Sequence, residues 1–193
     1  MTQAEKVSRF QAKLLCPATP DSASPWAFVL LPKHVSEKLP RRGRTTVEGS
    51  INGHPVQVTL EPDGYLSHWL PISRALQEAI GLEEGDTVAL ELSPVDKEPE
   101  PDMPPDFQKA LAAAPEAQTV WMGTTTIARV DWIHWIVSAK QAKTRAKRIA
   151  DACEMLACGK KRVCCFDPSG YYSKALRAPE AVELSIVAKR RNA

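Results

Sequence analysis

Apolar residues recur with a period of two in the first half of the chain and with a helical period in the second. In the first half, Val56, Val58 and Leu60 alternate with Gln57 and Thr59, as a half-buried strand requires. Residues 9–16 and 26–31 read as two further strands rich in apolar side chains. Residues 45–51 and 55–60 flank Asn52-Gly53, a pair that tolerates positive φ and suits a tight hairpin turn. Residues 65–70 form another strand, ended by Pro71. Ser73 caps a short helix, RALQEAI, which Gly81 stops. Glu84-Gly85-Asp86 then turns the chain into an alternating strand over 87–92. Five or six short strands with one or two single-turn helices predict a small barrel rather than an open sheet.

The period changes after the run Pro94-Val-Asp-Lys-Glu-Pro-Glu-Pro-Asp-Met-Pro-Pro105. Its prolines lack backbone donors and its acidic residues resist burial, so an extended linker is expected. Beyond it Asp106 caps the helix FQKALAAA, and Pro115 suits the first turn of the next. Trp132, Trp135, Ala139, Ala142, Ala146, Ile149, Cys153 and Leu156 follow at three- and four-residue steps, the buried stripe of a helix. The preferred reading breaks this segment near residues 140–143, with Thr144 capping a new helix; one continuous helix is the alternative. Asp167-Pro168-Ser169-Gly170 reads as a turn, residues 183–187 as a short strand, and 189–191 as a solvated end. The expected organisation is α+β: a barrel domain over 1–93, a Pro/acidic linker over 94–106, a helical domain over 107–162 and a C-terminal extension over 163–193.

Charge sharpens the division. Residues 1–106 hold 10 Lys+Arg against 16 Asp+Glu, a net of −6; residues 107–193 hold 15 against 7, a net of +8. Two units with different surfaces follow, and their opposite charges suggest docking on each other or a partner bridging both. No window has the apolar length of a membrane span, and the start, MTQAEKVSRF, lacks the apolar core of a signal peptide. The expectation is a cytoplasmic protein with no membrane insertion. Cys16, Cys153, Cys158, Cys164 and Cys165 are odd in number and form no C-x-x-C pair, so they read as reduced thiols.

The residues also carry a resemblance. Trp26, Phe28, Leu31, Pro32, Gly49, Asn52, Gly53, Gly64, His68, Leu70, Ile80-Gly81 and Gly85-Asp86-Thr87-Val88 resemble an uncharacterised bacterial split-barrel domain. Pro105, Leu111, Ala117, Trp135-Ile136, Ala139-Lys140, Thr144-Arg145, Arg148-Ile149, Met155-Leu156 and Gly159-Lys160 resemble the helical YdeI/OmpD-associated (OmdA) family, also called bacteriocin protection. Together they cover roughly residues 8–162. The resemblance implies a double-split β-barrel followed by a small helical domain, a bacterial source and a protective phenotype. It implies no catalytic residues and no cofactor.

Candidate chemistry is sparse. The sequence contains no G-x-S-x-G, no G-K-[ST] phosphate loop, no G-x-G-x-x-G and no H-E-x-x-H, so no catalytic, cofactor or metal residue is assigned. Ser169, in Pro-Ser-Gly, has an ordinary turn composition. A small-molecule pocket in the barrel would be walled by Trp26, His68, Trp69 and Arg74. A run like Ile80-to-Val88 also occurs in swapped-hairpin transcription-factor barrels, but those barrels are basic, so the likeness is read as one of fold.

The basic cluster Lys140, Lys143, Arg145, Lys147 and Arg148 is the strongest candidate anion or partner face. Against this stands a solvated helix face, paired with the acidic half of the same chain. The leading expectation is a non-enzymatic binding or stress-protection protein with a protein or peptide partner. The alternatives are a nucleic-acid binder using the 140–148 face and a ligand carrier or enzyme working from the barrel.

Overall fold

The computed structural model of the chain describes residues 7–19 and 27–182. Trp26, the expected strand over 183–187 and the charged end over 189–191 lie outside the described residues. The chain divides into two compact units, Met1–Asp96 with Ser169–Ala193, and Lys97–Pro168. The residues read as a C-terminal extension are thus shared between them.

The first unit is a six-stranded antiparallel barrel. Its strands are β1 (Ser8–Lys13), β2 (Ala27–Leu30), β3 (Thr45–Ile51), β4 (His54–Pro62), β5 (His68–Ile72) and β6 (Thr87–Pro94), in the order β1-β6-β3-β4-β5-β2. Reciprocal backbone bonds between Leu15 and Phe28, at 2.9 and 2.8 Å, join the two ends of that order, leaving the barrel nearly closed. Alternation fills the interior: Val88, Leu90 and Leu92 of β6 meet Val47, Ile51, Leu60, Leu70 and Ile72 in one buried cluster. At the β3–β4 hairpin Asn52 and Gly53 have φ of 48° and 81°, the two positive values that a tight two-residue turn needs. Asn52 does more than turn the chain. Its side chain accepts the Ala89 amide of β6 at 2.8 Å.

Several strand limits differ from expectation: β1 stops at Lys13 rather than at residue 16, β4 runs on to Pro62 and β6 to Pro94. Residues 65–67 are a loop, and the strand over 68–72 runs through Pro71 instead of ending there. Pro71 sits opposite Phe28, whose amide and carbonyl both point away from it to Leu15. The missing proline donor therefore leaves no ladder bond unmade. A short helix, α1 (Lys33–Ser36), fits the one or two single-turn helices expected of this half, but the sequence reading gave it no position. The helix α2 (Arg74–Ile80) is capped as expected: Leu76 donates to the Ser73 hydroxyl at 3.2 Å and Gly81 has φ of 63°.

The tail returns to this unit. Ala18 donates to the Glu180 carbonyl at 2.7 Å and Val182 to that of Cys16 at 3.0 Å. Leu176 is buried there.

The second unit holds α3 (Pro105–Ala112), α4 (Pro115–Met122), α5 (Thr126–Val137) and α6 (Ala142–Ala157) around Phe107, Leu111, Trp121, Trp132, Ile133, Ile136, Ile149 and Leu156. Asp106 is not the N-cap: α3 starts one residue earlier, at a proline that needs no donor, and Asp106 lies in its first turn. The break after α5 is real, but the cap of α6 is Gln141, and Thr144 lies inside the helix. Ala142 and Ala146 are exposed, and the buried side of α6 is Ile149, Ala152 and Leu156. No helix among the described residues is long and apolar enough to cross a membrane.

Gly49 carries the tightest steric demand in the barrel. With φ of 152°, a Cβ there would stand 1.8 Å from the Glu91 carbonyl oxygen on β6. Gly49→Ala should therefore destabilise the barrel by more than about 2 kcal/mol. Gly53→Ala, with nothing within 4 Å, should cost only the strain of its turn, about 1 kcal/mol. Denaturant titrations of both variants check this; equal losses would contradict the steric argument.

Candidate functional site

The five basic residues predicted to share one face do not act alike. Arg145 turns toward the start of α3, where its Nε and Nη2 hold the two oxygens of Asp106 at 2.6 and 2.9 Å. The fork matches the carboxylate in a bidentate pair. Asp106 is held below the usual carboxylate range by the Arg145 hydrogen bond and by the Phe107 amide; Arg145 is raised by the same contact. Arg148 reaches the opposite way. Its Nη1 donates to the Trp135 carbonyl and, at 3.1 Å, to the Ser138 hydroxyl, while its guanidinium lies 5.4 Å from the Trp135 ring centroid.

Trp135 belongs to the last turn of α5, so Arg148 shares with the Ser138 hydroxyl, at 3.1 Å, a carbonyl that the helix backbone leaves open, and places a cation at its negative end. The device occurs twice. Arg129 of α5 donates to the Met122 carbonyl at the end of α4 at 3.0 Å and lies 5.7 Å from the Trp121 ring centroid. Arg129 is also paired with Glu100 at 2.9 Å, which helps hold that carboxyl below its usual range; the Thr126 hydroxyl is the larger influence.

The three lysines stay outside. Lys147 pairs with Asp151 one turn on, at 2.6 Å, in an exposed contact of small energetic weight. Lys140 and Lys143 are exposed and make no ion pair among the described residues. They flank the first turn of α6, whose amides receive no side-chain cap.

The barrel candidates are dispersed. His68 and Trp69 are adjacent on β5 and face opposite ways. His68 is completely buried. Its Nε2 meets the Gly43 carbonyl at 3.0 Å and must therefore carry the proton, which leaves Nδ1 to accept the Ser36 hydroxyl at 2.5 Å. Ser36 is equally buried, so this hydroxyl–imidazole pair ties α1 and the 43–45 segment to β5 and is out of reach of a substrate. Burial pulls the His68 pKa below the ordinary histidine range, and the Gly43 carbonyl only partly opposes it.

Trp69 donates its indole N–H to the Pro62 carbonyl at 3.2 Å and packs edge-on against Phe28. Arg74 is exposed on α2, paired with Glu78 at 2.8 Å. It lines a shallow cleft of about 300 Å³ with Gln77, Glu78, Gly81, Leu82 and Glu83, a set that includes neither His68 nor Trp69.

Sequence reasoning passed over the residues around His68. Arg44 pairs with Glu61 at 2.6 Å, and burial nonetheless raises the Glu61 pKa. Arg42 donates to the Leu66 carbonyl at 2.8 Å. The run Arg41-Arg42-Gly43-Arg44, inside an otherwise acidic half, was the available signal.

Comparison with known families places both units. Residues 10–92 match the model of a domain of unknown function, DUF1905, and residues 100–159 match that of OmdA, described as bacteriocin-protection, YdeI or OmpD-associated. The chain joins a DUF1905 domain to an OmdA domain. No curated protein matches the chain. The OmdA match takes in all four helices and both arginine–tryptophan clamps; the DUF1905 match takes in the barrel from Phe10 to Leu92. Residues 160–182 lie beyond both.

Two outcomes test these assignments. Arg148→Ala should destabilise the OmdA domain by about 1–3 kcal/mol, through a lost charge-assisted hydrogen bond at the helix end and a lost ring contact. Lys143→Ala should change stability by less than about 0.5 kcal/mol. Thermal melts followed by circular dichroism separate the two.

For His68 the folded pKa lies below the unfolded one, so the unfolded chain binds the extra proton more readily. Stability is then full above about pH 6.5 and declines as the pH falls below it. His68→Gln should flatten that decline; an unchanged slope would assign it to other groups.

Proposed function

We propose that the chain is a non-enzymatic binding protein whose role is protection, with a peptide or protein as its partner. The observation that carries this reading is the OmdA match over Glu100 to Gly159, because that family's description names bacteriocin protection. The geometry supports binding by a rigid surface. Arg129, Arg145 and Arg148 are engaged in holding helices together, so the α3–α6 unit can present its outer side chains without reordering on contact. Bacteria producing the full chain should survive higher bacteriocin concentrations than cells carrying an empty vector. Identical inhibitory concentrations across a bacteriocin panel would overturn the reading.

A second reading, nucleic-acid binding by the OmdA domain, is favoured by Lys140 and Lys143 beside the uncapped start of α6. Free amides and two lysines there attract phosphate, with an affinity that falls as salt rises. The charge reversal that tests it belongs at Lys140 and Lys143. Reversing Arg145 or Arg148 would break the Asp106 and Trp135 contacts and confound binding with folding. Lys140→Glu with Lys143→Glu should abolish salt-dependent retention of a duplex DNA or RNA; undiminished retention would remove this reading.

A further inference from the structure

Cys164 and Cys165 lie past the OmdA match, in a turn that neither family covers. Neighbouring side chains on extended backbone point to opposite sides. Here Cys165 takes φ of 59°, a left-handed value that few non-glycine residues adopt, and the two sulfurs converge to 3.3 Å. Both side chains are exposed. The turn is pinned on each side. The Trp132 indole donates to the Lys161 carbonyl at 3.4 Å, Val163 packs on the helical core, and Phe166 stacks edge-on against His134. Before it, α6 ends in a doubly bonded turn, Gly159 to Leu156 at 2.7 Å and Lys160 to Met155 at 3.0 Å. Two thiols are thus held side by side, facing solvent, with little left to order on binding.

Their spacing selects among the things two thiols can do. A disulfide needs the sulfurs at about 2.05 Å, so they would have to close by more than about 1 Å across a single strained peptide. A chelated atom bonded to each sulfur at about 2.3 Å, the zinc–thiolate length, would subtend an angle of about 90° on a 3.3 Å base. That is narrower than the tetrahedral angle zinc prefers. It suits a pyramidal, lone-pair-bearing trivalent ion. No group of three or more His, Cys, Asp or Glu that could hold a metal occurs among the described residues. A site of two soft ligands fits an ion that supplies its own third substituent.

We propose that Cys164 and Cys165 form a chelating site for trivalent arsenic, as arsenite or a mono-organic arsenical. With phenylarsine oxide, the arsenic–oxygen bond breaks and two arsenic–sulfur bonds form. The two thiol protons leave with the oxygen as one water, and arsenic stays trivalent throughout. The proposal stands apart from the protective role above and from the partner surface of the OmdA domain.

The test uses the reduced full-length chain with phenylarsine oxide, read by intact mass. A gain of one phenylarsine oxide per chain, less one water, is expected. The adduct should resist excess 2-mercaptoethanol, a monothiol, and be removed by dithiothreitol, because only a dithiol can replace a chelate. Cys164→Ser and Cys165→Ser should each abolish the monothiol-resistant adduct. Cys158→Ser, at another exposed thiol, should retain it. Absence of the adduct, its reversal by the monothiol, its survival in either of the first two variants, or its loss in the third would overturn the assignment. Arsenite in a second arm should compete with phenylarsine oxide; failure to compete would overturn the inclusion of arsenite.

Discussion

Two backbone hydrogen bonds between Leu15 and Phe28 convert a six-stranded sheet into a nearly closed barrel, and the features of that unit follow from closure. An open sheet would leave the outer edges of β1 and β2 as rows of unpaired donors and acceptors. Once Phe28 directs both its groups to Leu15, its opposite neighbour needs no donor, and Pro71 fits within β5. Once the strands curve round, their inward residues meet in one cluster, from Val29 and Leu31 through Val47 to Leu92. Among the polar side chains buried there is the imidazole of His68. It is tolerated because the Gly43 carbonyl and the Ser36 hydroxyl engage both ring nitrogens, and an unpaired buried imidazole would be costly.

The helical unit solves a different problem with a repeated part. Short helices leave carbonyls open at their ends, and each connection here is brief. Arg129 and Arg148 each reach back to the closing turn of the preceding helix and lie against a tryptophan of that helix. The guanidinium supplies hydrogen bonds, charge against the helix dipole and a flat face for the ring in one side chain. Lysine could not supply all three. Arg145, locked to Asp106, adds the tie between α6 and the start of α3. The basic stretch therefore has an inner, structural half of arginines and an outer half of lysines. Only the outer half is available to a partner.

The barrel was readable in the sequence wherever local chemistry decides. Asn52-Gly53 specified its hairpin, Ser73 and Gly81 bounded their helix, and Val88, Leu90 and Leu92 declared an inward face. The likeness to the two families was legible too, because it rests on residues in order. Less was legible of the candidate sites. The stripe through Trp132 and Leu156 overreached at the start of α6, where Ala142 and Ala146 share the helical side of Ile149 and yet lie exposed. The 140–148 cluster looked uniform because spacing within a helix cannot tell an arginine that reaches a neighbouring helix end from a lysine in solvent.

Sequence alone thus determined most of the elements, their order, the division of charge and the family likeness, since each depends on neighbours a few residues apart. Tertiary structure decided which polar groups are occupied. Ser36 and His68 are 32 positions apart, and Asp106 and Arg145 are 39 apart. Closure of the sheet and packing of the helices bring each pair together, and no local pattern records which partner a hydroxyl, an imidazole or a guanidinium will meet.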